Sequence, residues 1–296
     1  MDAREALAVV VAGKTLTRAE AESAMGSVMA GEATPAQLGA LLAALSMRGE
    51  TPDEIAGFAS VLRANALRVV IEDGAIDVVG TGGDRSSSIN ISTITALVVA
   101  GAGGRVAKHG NRAASSQCGS ADVLEALGVK IDLGPAGVRR YLLGVPSVAL
   151  GDTMARALVE LGAERALVVY GMDGLDEISP SAETRTWEVS PSGVRDGALS
   201  PVDLGFKPAT RAEITGGDPA TNASAARRVL DGEAGGARTA VLMNAAAACY
   251  IAGLAGSVRE GLDVASRSID SGKARETLVR FAAKSQLIGA AEAATA

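Results

Sequence analysis

The stretch Ile76-Asp77-Val78-Val79-Gly80-Thr81-Gly82-Gly83-Asp84-Arg85-Ser86-Ser87-Ser88-Ile89-Asn90-Ile91-Ser92-Thr93 decides how the rest of the chain is read. An apolar, strand-like run over 76–79 ends in a glycine loop, and the loop leads into a helix opened by small hydroxyl residues. Backbone N–H groups exposed by glycines, beside a helix N-terminus, make an anion site before any charged side chain is counted. The stretch therefore points to a bound phosphate and to a strand–loop–helix unit. A glycine loop alone is also the ordinary way to turn tightly from strand to helix, so the neighbours must choose between the two.

Working outward, the pattern repeats. Strand-like runs at 76–79, 105–107, 129–131 and 166–170 alternate with helical runs at 92–100, 121–127 and 153–161. Such alternation implies an α/β domain with a mostly parallel central sheet flanked by helices. Further helices are expected at 222–230, 237–252 and 274–283. Upstream, residues 1–68 read as helices only: Thr17 with Glu20 has capping-box spacing, and Thr34-Pro35 and Thr51-Pro52 are cap-plus-first-turn pairs. The run 36–46 is apolar nearly all round, as expected of a helix packed on others or on a second subunit. The expected division is thus a small all-helical domain, 1–68, and a larger α/β domain, 69–296.

Composition narrows the function. The chain has 296 residues, 48% hydrophobic but only 2% aromatic, so the core must be built from Ala, Val, Leu and Ile. A net charge of −6 offers no basic surplus for a general nucleic-acid binder. Charged residues at the start and the lack of a long apolar run give no secretory signal or membrane span. Cys118 and Cys249 lack metal-ligand spacing. A cytoplasmic protein is the expectation.

In open α/β sheets ligands gather beyond the carboxyl ends of the strands, and three polar clusters fall there. The first is the glycine loop with Ser88, Asn90, Ser92 and Thr93. The second is Lys108-His109-Gly110-Asn111-Arg112-Ala113-Ala114-Ser115-Ser116, running on to Ser120, a candidate N-cap for the next helix. Lys108 and Arg112 bring positive charge to an acidic protein, although a solvated basic loop would look similar. His109 is the only histidine. A lone histidine more often lines a site than transfers a proton. The third is Asp173-Gly174-Leu175-Asp176-Glu177, whose adjacent carboxylates suit Mg²⁺, an ion held through few carboxylates plus ligand oxygens and water. The plainer reading is a charged turn.

Together these motifs resemble the anthranilate phosphoribosyltransferases of tryptophan biosynthesis. The likeness rests on 80–84, Asn-Ile-Ser-Thr at 90–93, the run 108–116 and Asp-Gly-Leu-Asp-Glu at 173–177, with Met243-Asn244-Ala245-Ala246-Ala247 and Asp270-Ser271-Gly272-Lys273-Ala274 further on. The resemblance implies an enzyme that joins anthranilate to the ribose of 5-phosphoribosyl 1-pyrophosphate (PRPP) with Mg²⁺, and a homodimer formed through the helical domain. It implies a donor site of Gly80, Gly83, Asp84, Ser88, Asn90, Ile91, Ser92, Thr93, Lys108, His109, Gly110, Asn111, Arg112, Ala113, Ala114, Ser115, Ser116 and Ser120. Gly80 and Asn111 would also touch anthranilate, and Ser92, Asp176 and Glu177 would ligate Mg²⁺.

One departure is large. Family members carry a hinge, helices and an arginine of the acceptor pocket before the counterpart of Tyr141-Leu142-Leu143-Gly144-Val145; here Leu133-Gly134-Pro135-Ala136-Gly137-Val138-Arg139-Arg140 runs straight into it. The acceptor and hinge region near 133–146 is therefore shortened, and neither Arg139 nor Arg140 inherits the anthranilate role. This leaves two alternatives to the full activity: a donor-binding deletion variant that does not turn over, or a transferase for another aromatic amine.

Overall fold

The computed structural model describes residues 1–66, 74–80, 86–112, 117–131 and 140–295. Its first part is helical: α1 (Ala3–Val11), α2 (Arg18–Met29), α3 (Pro35–Arg48) and α4 (Pro52–Asn65). Each begins with a capping box, from Asp2 and Glu5, Thr17 and Glu20, Thr34 and Gln37, and Thr51 and Glu54, so two first-turn donors per helix are satisfied locally. Pro35 and Pro52 occupy first-turn positions where no N–H is missed. Ala6, Val10, Leu16, Ala21, Ala24, Leu41 and Leu45 form the core of this bundle. The expected division at residue 68 falls outside the described residues.

The larger part is a five-stranded sheet in the order β1 (Ile76–Gly80), β2 (Arg140–Gly144), β3 (Arg165–Gly171), β4 (Thr184–Ser190), β5 (Gly193–Leu199). The first three strands are parallel, with Gly80 level with Gly144, and the last two form an antiparallel hairpin on the edge. Side chains alternate between faces, as a pleated strand requires. Val78, Leu142, Leu167 and Val169 enter the main core; Leu143, Val168 and Trp187 enter a second on the other face. Both faces are covered. α5 (Ile91–Gly101), α6 (Ser120–Ala126), α8 (Pro219–Leu230), α9 (Gly236–Ile251), α10 (Val258–Asp270) and α11 (Lys273–Thr295) belong to the main-core side, and α7 (Val148–Glu160) closes the other. As the composition required, Trp187 is the one aromatic among the described buried core residues, which are otherwise aliphatic with a few sulfur side chains.

The structure corrects several sequence expectations. Residues 105–107 make only an isolated parallel bridge, Val106 to Ile76, although Ile76 N–H donates to Arg105 O and Ala107 N–H to Ile76 O, both at 3.0 Å. Residues 129–131 form no strand, because Val129 N–H is taken by Leu124 O at the end of α6 and Lys130 N–H by the Ser285 hydroxyl. Strands β2, β4 and β5 and helix α10 went unread. α10 turns Val258, Leu262, Ala265 and Ile269 toward the main core at helical spacing, so its amphipathic period was present in the sequence and was passed over.

The bundle and the sheet domain meet at α7, where Arg18 pairs with Glu160 at 3.3 Å and Arg63 donates to Leu161 O at 3.2 Å. Among the described residues, no helix is long and apolar enough to cross a membrane.

Candidate functional site

The carboxyl end of β1 is the meeting point. Gly80, its last residue, lies so close to the loop after β3 that a Cβ there would stand 2.8 Å from Asp176 Oδ2. Only glycine allows that approach. Asp176 and Glu177 are both buried, as are Ile91, Ser92 and Thr93 in the first turn of α5. Glu177 accepts from the Ser92 hydroxyl and N–H, which places a carboxylate on the positive end of a helix. Burial, and next the charge of Asp176, still push the Glu177 carboxyl above its usual range. Two adjacent buried carboxylates resist ionising together, and a cation relieves that cost.

Lys108 reaches into the same corner. Its ammonium donates to Val78 O at 2.8 Å, to Ser92 Oγ at 3.2 Å and to His109 O at 3.2 Å. Burial lowers its pKa while Asp77, Glu177 and Asp176 hold it up. Asp77, which the motif reading quoted without assigning a role, supports this arrangement: its buried carboxylate accepts His109 N–H at 2.9 Å, so β1 fixes the start of the second loop. Burial raises the Asp77 pKa.

The second loop then turns along α6. Asn111 O accepts Ala121 N–H at 3.2 Å, and a Cβ on Gly110 would stand 2.7 Å from Ser120 Cβ. Ser120 is the first residue of α6 and Gly119 its N-cap, one position earlier than expected, because the Asp122 carboxylate reaches back to Gly119 N–H at 2.8 Å. Arg112 forks onto Glu125 at 2.6 and 2.9 Å. That guanidinium, read from sequence as charge for the ligand, is held on the exposed side of α6. His109 and Asn111 are exposed.

On the other flank, Ser88 bridges Thr215, and Asn90 is the N-cap of α5, its carbonyl accepting Ile94 N–H at 3.1 Å while its side chain makes no cap bond. Its amide joins Cys118 O at 3.1 Å and Asn222 Nδ2 at 2.8 Å. In the third cluster Asp173 is structural, accepting the Ser179 hydroxyl at 2.8 Å. Asn244 on α9, fully buried, accepts Ile178 N–H at 3.0 Å and donates to Ile178 O at 2.9 Å, fixing the backbone just beyond Glu177. The roles of Asp77, Asn222 and Asn244 escaped the sequence reading because each has a decisive partner 32 or more residues away.

The structure thus brings Gly80, Ser92, Lys108, Asp176 and Glu177 into one corner, with Ser88, Asn90, Ile91, Thr93, His109, Gly110, Asn111 and Ser120 around it. Gly83, Asp84, Ala113, Ala114, Ser115 and Ser116 lie outside the described residues. Thr93 Oγ1 is buried and finds no hydrogen-bond partner among the described residues, an orphan at the helix end where an anion would sit. Among the described residues no three His, Cys, Asp or Glu side chains converge as a metal cage, so a cation at this corner would need oxygens from a bound ligand or water.

Comparison with known proteins fits this geometry. A family model described as "Glycosyl transferase family, helical bundle domain" matches residues 4–66. One described as "Glycosyl transferase family, a/b domain" matches residues 72–142 and, separately, 133–275. The two pieces overlap at residues 133–142, where the chain is shortened. Anthranilate phosphoribosyltransferase of Azorhizobium caulinodans is 42% identical over 334 positions, covering 96% of this chain and 97% of that one. The Myxococcus xanthus enzyme is 44% identical over 329, covering 94% and 97%. An alignment longer than this 296-residue chain requires residues in the relatives with no counterpart here. Among solved structures, anthranilate phosphoribosyltransferase of Thermus thermophilus superposes with a TM-score of 0.86 at 38% identity, over 96% of this chain and 99% of that one. The Saccharomyces cerevisiae enzyme in complex with PRPP and Mg shares the fold, with a TM-score of 0.76 at 24% identity over 85% of each chain. By its two matched domains and its identity to these relatives over nearly its whole length, the chain belongs to the anthranilate phosphoribosyltransferase family.

Proposed function

We propose that this protein transfers the phosphoribosyl group of PRPP to the amine of anthranilate and releases pyrophosphate, in tryptophan biosynthesis in the cytoplasm. The observation that carries the reading is the corner at the end of β1, where Lys108, Ser92, Asp176 and Glu177 converge against Gly80 in a chain of this family. Gly80, Gly83, Asp84, Ser88, Asn90 to Thr93, Lys108 to Ser116 and Ser120 would hold the donor, Gly80 and Asn111 would also meet anthranilate, and Ser92, Asp176 and Glu177 would hold Mg²⁺. The ion would neutralise charge on the leaving pyrophosphate.

The chain's own work is placement. C1 of ribose gains positive character as its bond to pyrophosphate oxygen breaks, and the arylamine nitrogen bonds to C1 and then loses its proton. Near neutral pH that amine is already uncharged, so no strong general base is required. Lys108 and the N–H groups at the start of α5 stabilise the departing charge. The helical part supplies the proposed dimer contact: Val11, Leu42 and Met47 are 70%, 52% and 89% exposed, apolar surface that a second copy of the bundle would cover.

Steady-state loss of anthranilate fluorescence with PRPP and Mg²⁺ tests the reading. Turnover dependent on all three is expected; none above background would overturn it. A second reading has its own observation, the two-piece family match whose parts overlap at 133–142. Under it the chain binds donor without turning over, which calorimetry would register as Mg²⁺-dependent PRPP binding with no product. A chain that consumes another aromatic amine in place of anthranilate would identify a related transferase.

A further inference from the structure

Helix α8 contributes one side chain to the donor corner that no motif assigns. Asn222 is 2% exposed and sits where three segments meet. Its Oδ1 accepts Gly217 N–H at 2.8 Å, and its Nδ2 donates to Asn90 Oδ1 at 2.8 Å. Asn90 Nδ2 in turn donates to Cys118 O at 3.1 Å. This relay runs from one backbone N–H to one backbone carbonyl. Both ends have fixed polarity, so neither amide can turn over without losing its partner.

The relay is the last rung of a longer brace. Ile89 N–H donates to Ile214 O at 2.9 Å, Gly216 N–H to Ser87 O at 2.8 Å, and Arg211 to Ser86 O at 3.3 Å. The segment before α8 therefore runs along 86–90, the exit of the glycine loop, and Asn222 carries the connection on to Cys118, at the exit of the second loop. Nothing in this brace belongs to the parts that would touch the donor directly, except Asn90 and Ser88.

We propose that Asn222 is a positioning residue for the phosphoribosyl-donor site: by fixing the orientation of the Asn90 amide, it sets the spacing between the glycine-loop segment and the segment leading into α6. The proposal rests on the donor-binding reading above. Its specific feature is polarity, not bulk. In Asn222→Asp the shape is kept and Gly217 N–H still has an acceptor, but only the weak Cys118 S–H, at 3.5 Å, is left to donate to Asn90 Oδ1. If the Asn90 amide turns to donate toward the introduced carboxylate, its oxygen faces Cys118 O, acceptor against acceptor, and the two loops part.

Calorimetric titration of Mg²⁺·PRPP into wild type, N222D and N222A tests this, with circular dichroism and thermal melting to show that each variant is folded. Donor affinity should fall at least tenfold in N222D and no more than that in N222A, and in steady state the donor KM should rise while the anthranilate KM stays within about twofold. Wild-type affinity in N222D, or N222A weaker than N222D, would overturn the proposal, because bulk alone would then explain the residue. Equal rises in both KM values would do the same. Wild-type protein that binds no PRPP would instead refute the donor reading itself, an outcome separable from the other three.

Discussion

Lys108 shows how a residue's environment converts a charge into a tool. Its ammonium is held by two backbone carbonyls and the Ser92 hydroxyl, beside three carboxylates, so it is pre-aimed and partly desolvated. A charge-assisted bond from such a group to phosphate is worth about 1.5–3 kcal/mol, so Lys108→Ala should weaken PRPP binding by roughly 10- to 150-fold in calorimetry. A change within error would mean the lysine serves only the fold. Alanine at both Asp176 and Glu177 should abolish the Mg²⁺ dependence of donor binding; retained dependence would remove them from the cation site. These residues were legible because they sit in contiguous motifs. Asp77 was not, since a lone carboxylate inside an apolar run shows its purpose only once His109 N–H arrives from 32 residues away. The Arg112–Glu125 pair was illegible for the opposite reason: Glu125 lay in plain sight, but nothing in a linear chain says that a loop doubles back along its own next helix.

At the level of elements, the bundle depends on Glu54. It is fully buried on α4, where it caps its own helix through Thr51, accepts Leu16 N–H at 2.8 Å and pairs with Arg48. Burial alone would raise its pKa; the bonds from Arg48, Leu16 and Thr51 outweigh that and hold it below the ordinary glutamate range. Because the folded pKa is the lower one, the stabilisation is present above the unfolded value of about 4.3 and is lost as pH falls through the folded one. Glu54→Gln should cost about 3 kcal/mol by leaving Arg48 without its counter-charge, and should flatten the acid limb of a melting-temperature profile. An unchanged acid limb would show that Glu54 does not govern it. The capping sequences made all of α2, α3 and α4 readable, whereas β4 and β5 were not. Their alternation of Thr, Arg, Glu and Asp looks like solvated loop until Trp187 and Val189 are seen to pack under α7.

For the whole molecule, the decisive fact is that two domains of a two-domain family are present while the passage between 131 and 140 is short. The order of motifs exposed this in the sequence, where 133–140 runs straight into Tyr141; residues that relatives carry and this chain lacks leave no trace of their packing in it. Grafting the corresponding segment of the Thermus thermophilus enzyme between Ile131 and Arg140 should lower the anthranilate KM and leave PRPP affinity within about twofold. An unchanged anthranilate KM would mean that the acceptor is held elsewhere. Light scattering should give twice the mass of one chain, and Met47→Glu with Leu42→Glu should halve it if the bundle face is the contact; a dimer that survives both would place it on another surface. The central claim is nevertheless chemical, and it is most directly tested by following the reaction with ³¹P NMR. The account predicts one pyrophosphate formed for each anthranilate consumed, only with PRPP and Mg²⁺ present; PRPP that persists unchanged alongside anthranilate would contradict it.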